Sequence, residues 1–303
     1  MINVSDELDK GSVLAIRSFQ LNVGMGSGEK KFDKHFFLER VAGPIWKVLR
    51  GSNGIFKAVI VTTNGVKGNP FAEIVDSKGK TPTIYALEQE FQKEIEKNLL
   101  IPRVCYKDWG DNIGSVTPNN EMARIAAEEL GAGAITYWAP ELEMDIVRII
   151  TNIDFMKREN LFVSGFLRKG WWNNLPWRTP QSTGATWLLK LLLEAGGFPL
   201  ACNGTGETVP TKEYGDVLLA GMDHIPPMAW LLEKYPNLFW GMSGTINPSE
   251  WNINFPLNSA RLKNNRIMIA RQSLVLKKWI ERYLPQYSID EAMGMFYSRY
   301  RQD

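Results

Sequence analysis

Three things are scarce in this chain of 303 residues: cysteine, histidine and net charge. The two cysteines, Cys105 and Cys202, show no metal-like spacing and read as buried thiols in a reducing compartment. Two histidines, His35 and His224, are too few for a zinc site of the usual His/Cys kind. The net charge is only +2, so bulk electrostatics give no reason to expect a nucleic-acid partner. No run approaches the roughly 20 apolar residues that span a bilayer. Met1 to Gly11 is polar and acidic, without a signal-peptide apolar stretch. The expectation is a cytoplasmic protein, with contact to a membrane surface left open.

What is abundant is aromatic. There are 11 Trp, 14 Phe and 9 Tyr. Such an excess fits a heavy core, an interface, or a surface that stacks on sugars or bases. The rest of the composition, 44% hydrophobic and 22% charged, is that of an ordinary globular chain and excludes disorder and collagen-like repeats.

Short apolar runs alternate with helical patterns. Strands are expected at Val13–Phe19, Phe56–Thr63, Arg103–Lys107, Ala134–Trp138 and Leu161–Leu167. Helices are expected at His35–Arg50, Ile84–Asn98, Asn120–Leu130 and near Met144–Met156. Further helices are expected at Ala185–Ala195, Pro227–Lys234, Leu257–Leu284 and Ile289–Arg301. This βαβα alternation predicts an α/β fold with a mostly parallel sheet. Ligands then sit beyond the carboxyl ends of the strands, in the loops after Phe19, Thr63, Lys107 and Trp138. Between Lys169 and Ser182 the texture changes to a loop holding Trp171, Trp172 and Trp177.

The glycine-rich stretch Gly24-Met25-Gly26-Ser27-Gly28-Glu29 fails both phosphate-binding patterns. Gly24 to Gly28 leaves three residues where the phosphate cradle needs four, and Glu29 occupies the third glycine slot of the dinucleotide fingerprint. A basic surface loop and a nucleotide-contacting loop both remain open; the latter would suit a methyltransferase or nucleotidyltransferase.

Other motifs fit together better. Asp111-Asn112-Ile113-Gly114 is an Asn-x-Gly turn, followed by Asn120 at an expected helix start and by Gly131 before the strand ending at Trp138. Thr183-Gly184-Ala185-Thr186-Trp187 leads to Gly196-Gly197-Phe198, and Gly221-Met222-Asp223-His224 opens a later helix. This order, from about residue 13 to 235, resembles family 2 glycosyltransferases of the GT-A fold. The resemblance implies a GT-A type sheet flanked by helices over residues 1–250, with a helical C-terminal extension at 251–303. It implies an inverting transfer of a sugar from a nucleotide-diphosphate donor to an acceptor hydroxyl. The acceptor would be a saccharide, a lipid-linked molecule or a protein.

By the same resemblance, Phe19, Gln20, Asn64, Asn112, Asn120, Arg168, Trp177 and Gly184 would contact the nucleotide or donor. Glu141 and His224 would hold a divalent cation, Mn2+ or Mg2+, and Asp223 would be the catalytic base. The sequence departs from the pattern in two places. The strand-end Asp-x-Asp falls on Ala139-Pro140-Glu141, leaving one acid, and the acid after the second strand is Thr63 or Asn64. A catalytically degenerate binding or scaffold module is therefore a second reading. Each site residue also has a plainer one: Glu141, Glu143 and Asp145 as a charged helix start, and Asp223 as an N-cap. Seven basic residues between Arg261 and Arg282 make either a solvated helix side or a face for an anionic membrane.

Overall fold

The computed structural model describes residues 2–19, 54–64, 88–89, 92–93, 103–108, 116–138, 146–168, 179–180, 184–203, 206–246 and 259–302. A short helix, α1 (Val4–Asp9), capped by Asn3, leads into strand β1 (Ser12–Phe19). The next strands are β2 (Phe56–Asn64), β3 (Arg103–Asp108) and β4 (Ala134–Trp138). Helix α2 (Val116–Arg124) runs on through a wider π turn (Ile125–Glu129) before β4. Then follow α3 (Ile146–Glu159), β5 (Leu161–Arg168), β6 (Thr186–Leu188) and α4 (Leu189–Glu194). A 3₁₀ turn (Leu200–Asn203), a hairpin of β7 (Thr208–Thr211) and β8 (Gly215–Leu218), and α5 (Ile225–Lys234) come next. The chain closes with β9 (Phe239–Ile246), α6 (Ser259–Tyr283), α7 (Ile289–Ser298) and β10 (Tyr300–Gln302).

Eight of the described strands form one sheet in the order β10-β9-β5-β6-β4-β1-β2-β3. All adjacent pairs are parallel except the two that involve β6. The fold is therefore the expected α/β type, with a mostly parallel sheet flanked by helices. β1 and β2 read as near-continuous apolar runs because both faces are covered: Val13–Ile16 and Ala58–Val61 are buried throughout.

Two expected helices differ. Ala185–Ala195 is expected to be one helix, yet Thr186–Leu188 is a strand. The β-branched and aromatic side chains of Thr186 and Trp187 suit a pleated, doubly buried position. Trp187 pairs with Ile135 on one side and Val163 on the other. The expected final helix stops at Ser298, and Tyr300–Gln302 adds the outermost strand beside β9. After two helices, the chain thus returns to the sheet at Tyr300–Gln302. The expected helix His35–Arg50 lies outside the described residues, as does most of Ile84–Asn98.

Parallel order sets a common edge. Phe19 is level with Asn64, Thr63 with Asp108, Ile16 with Trp138, and Arg168 with Ile246. The carboxyl ends of β1, β2, β3, β4, β5 and β9 all finish on that edge. The antiparallel β6 begins there: Gly184 N–H donates to Tyr137 O at 2.7 Å, and Tyr137 N–H donates to Ala185 O at 2.9 Å.

Candidate functional site

Two side chains next to this edge are buried and incompletely satisfied. Asp223 is 6% exposed, and among the described residues its Oδ2 meets no hydrogen-bond partner. His224 is 3% exposed, and among the same residues its Nδ1 meets none. Leaving polar atoms this way is costly, and natural cores do it for a reason.

The local sequence explains why Asp223 is not consumed as a helix cap. His224 occupies the N-cap position of α5 and makes no side-chain capping bond. A cap accepts from the backbone N–H two or three positions on. From His224 those positions are Pro226 and Pro227, which have no N–H. Ile225 N–H is already given to Met222 O at 3.0 Å. The N-cap reading of Asp223 is therefore corrected: the carboxylate sits one residue before the cap, with its Oδ2 unclaimed.

The turn that delivers Asp223 is pinned and strained. Gly221 and Met222 have φ of 83° and 54°. For methionine the left-handed region costs roughly 1–2 kcal/mol. Gly221 is held at both polar groups: its N–H donates to Cys202 O at 2.8 Å, and its carbonyl accepts from Trp279 Nε1 at 3.0 Å. His224 is fixed from another segment, with Nε2 2.8 Å from Thr179 Oγ1. Its Nδ1 faces Asp223 Oδ1 across 3.7 Å.

Tyr137, near the end of β4, completes the setting. Its hydroxyl donates to Asn119 O at 2.8 Å. Burial pushes its phenol above the usual range, and the Asp223 charge pushes it further. The buried Cys202 thiol is raised for the same two reasons, burial first and Asp223 second. Asp223 is thus the local negative charge to which the groups around it respond.

The expected donor residues divide three ways. Phe19, Asn64 and Arg168 end strands on the common edge, and Gly184 stands beside them at the start of β6. Gln20, Asn112, Glu141 and Trp177 lie outside the described residues. Asn120 was expected to open a helix, and that expectation is corrected. Helix α2 starts at Val116, four residues earlier, where Asn203 Oδ1 accepts the Val116 N–H at 3.0 Å. The Asn120 amide is spent on the Phe198 peptide, donating to its carbonyl and accepting its N–H, each at 2.8 Å. The role this gives Asn120 is to hold the Gly-Gly-Phe turn. That turn in turn sets Phe198 edge-on against Tyr137 and Trp187, with 5.6 Å between centroids in each pair.

Trp138, the last residue of β4 before a loop where a ligand is expected, is buried at 2% exposure and belongs to the core. Among the described residues, no group of three or more His, Cys, Asp or Glu could hold a metal. Of the two expected cation ligands, His224 is described and Glu141 lies outside the described residues. No described helix is long and apolar enough to cross a membrane. Three of the basic residues of α6 have described side chains, and they face acids: Lys277 and Lys278 approach Glu281, and Arg282 approaches Glu207.

Sequence reasoning missed Thr179, Tyr137 and the cap from Asn203. Tyr137 carried a usable signal, as a hydroxyl at the carboxyl end of a predicted parallel strand. Thr179 and Asn203 carried none, because their partners are 45 and 87 residues away.

No protein-family model and no curated protein matches the chain. Among solved structures it is similar to TarS 1-349 of S. aureus, at 12% identity and a TM-score of 0.43, covering 94% of this chain and 80% of that one. It is also similar to the same protein in complex with UDP-GlcNAc, at 10% identity and 0.42, covering 95% and 79%. A third similar structure is HddC from Yersinia pseudotuberculosis, at 11% identity and 0.35, covering 60% and 79%.

Proposed function

We propose that the chain is an inverting glycosyltransferase that moves a sugar from a nucleotide-diphosphate donor to an acceptor hydroxyl, with Asp223 as the base. The observation that carries the reading is the buried Asp223 carboxyl oxygen without a hydrogen-bond partner among the described residues, with the Asp223 charge acting on Tyr137 near the carboxyl end of β4. Parallel α/β sheets bind ligands outside that edge. The order of motifs from the Asn-x-Gly turn to Asp223 supports the same assignment.

The chemistry follows from what Oδ2 can accept. An acceptor hydroxyl donates its hydrogen bond to Oδ2. As the hydroxyl oxygen attacks the anomeric carbon, its proton passes to the carboxylate. The bond from that carbon to the diphosphate breaks, and the nucleoside diphosphate leaves with the electron pair. Attack from the face opposite the leaving group inverts the anomeric centre. The donor would lie over the ends of β1, β2 and β4, and the acceptor beside Asp223. The expected cation ligand Glu141 lies outside the described residues, and no step is routed through a cation.

A panel of nucleotide sugars tests the reading, with and without Mn2+. Release of nucleoside diphosphate, together with thermal stabilisation by at least one nucleotide, is expected. Binding without turnover in any condition would favour the binding-module alternative. No response to any nucleotide or sugar would remove the donor assignment.

A further inference from the structure

We infer that the Asp223 carboxylate selects the His224 tautomer with an Nδ1–H facing it, and that Thr179 is the positioning residue that holds the ring in that orientation. The inference rests on the reading of Asp223 as the base, but its first test does not depend on turnover.

The argument begins with the two nitrogens of one ring. In a neutral imidazole one nitrogen donates and the other accepts. His224 Nε2 is 2.8 Å from Thr179 Oγ1, and the hydroxyl can serve in either sense. Nδ1 is buried, has no hydrogen-bond partner and faces a carboxylate oxygen at 3.7 Å. A lone pair on Nδ1 would point at that oxygen and repel it. A proton on Nδ1 would be attracted to it, and water is excluded around a residue only 3% exposed. The proton therefore belongs on Nδ1, and Thr179 donates to Nε2.

This gives each group one task. Thr179 is itself buried and comes from a different segment, so it sets the ring without being part of α5. His224 turns its N–H dipole on Oδ1. At 3.7 Å this is beyond a hydrogen bond but within charge–dipole range. Oδ1 is thereby distinguished from Oδ2, which is left for the acceptor hydroxyl. The two prolines keep backbone donors from competing for the carboxylate.

The chain has two histidines, so imidazole 15N spectra are simple to assign, using His35→Asn to identify His224. Wild-type protein should show His224 protonated at Nδ1 and bare at Nε2. Asp223→Ala should shift the proton toward Nε2, where the Thr179 hydroxyl can accept it. An Nε2–H in the wild-type spectrum would overturn the inference, as would an unchanged tautomer in a folded Asp223→Ala. Should the alanine variant not fold, the wild-type spectrum decides alone. With a responsive nucleotide sugar, Thr179→Val should lower kcat by about 10-fold with little change in KM, and Thr179→Ser should recover it. An expected spectrum in a protein that turns over no nucleotide sugar would leave the tautomer assigned and remove the glycosyl-transfer reading.

Discussion

Asn120 grips the Phe198 peptide from both sides, with Nδ2 donating to the carbonyl and Oδ1 accepting the N–H, each at 2.8 Å. One amide thereby joins α2 to a turn 78 residues away. Asn120→Ala should cost about 1–3 kcal/mol, the penalty for leaving partly buried peptide groups unmet. Asn120→Asp should cost more, because one carboxylate oxygen would face the Phe198 carbonyl. Chemical denaturation of both variants checks the order. Equal stability of wild type and alanine variant would show that the clamp contributes nothing.

The two glycines before Phe198 should respond differently. Both have positive φ, 82° at Gly196 and 74° at Gly197. A Cβ at Gly196 meets nothing within 4 Å, whereas one at Gly197 would lie 2.6 Å from Asn120 Oδ1. Gly196→Ala should therefore lose only the conformational cost, roughly 1–2 kcal/mol. Gly197→Ala should lose that and the Asn120 clamp as well. Its effect should be smaller in an Asn120→Ala background, which a double-mutant cycle reads directly.

Asp223→Asn should separate stability from activity. Turnover should fall by about 10²–10⁴-fold, the usual worth of a general base. Stability should hold or rise, since the substitution removes a buried charge whose Oδ2 is unsatisfied. A melting point lower by more than about 3 °C, the shift of roughly 1 kcal/mol in a chain this large, would mean that the carboxylate has a structural task instead.

Alkaline pH should find Tyr137. Its folded-state pKa is raised, by burial first and then by the Asp223 charge. The unfolded phenol loses its proton near the ordinary tyrosine value of about 10, while the folded one keeps it. The stabilising contribution is complete below that pH and is lost as pH rises above it. Tyr137→Phe should flatten the decline in stability above about pH 10. It should also lower stability at neutral pH by roughly 1–3 kcal/mol, because Asn119 O loses its donor. Denaturation curves at neutral and alkaline pH test both parts.

Much of the architecture was legible in the sequence, for a physical reason. Strands buried on both faces, such as β2 with its run Ala58–Val61, are continuous apolar runs and stand out without any partner information. Trp187 shows where that legibility ends. An apolar stretch following Gly184 has a helical look, and only pairing with Ile135 and Val163 makes its first part a strand. The site follows the same rule. Asp223 and His224 were visible as an acid and a base at a helix start, and the two prolines were visible too. That the prolines free the carboxylate needs the helix to begin at Ile225, which a pattern does not fix. Asn120 was noticed for its place in a motif, but its actual partner is a peptide brought close only by folding.

The sheet is narrowest in hydrogen bonds where it matters most. β6, three residues long, joins the β4 side to the β5 side through a few rungs. Beneath it, Thr136 and Thr186 hydroxyls lie 2.9 Å apart, Asn152 Nδ2 donates to Thr186 Oγ1, and Ser243 Oγ donates to Asn152 Oδ1. These side chains act as a cross-brace spanning β4, β6, β9 and α3. Polar atoms in an otherwise apolar layer thus supply directional stiffness that so short a ladder cannot. Tyr137 and Gly184, which face each other across this seam, owe their spacing to that brace.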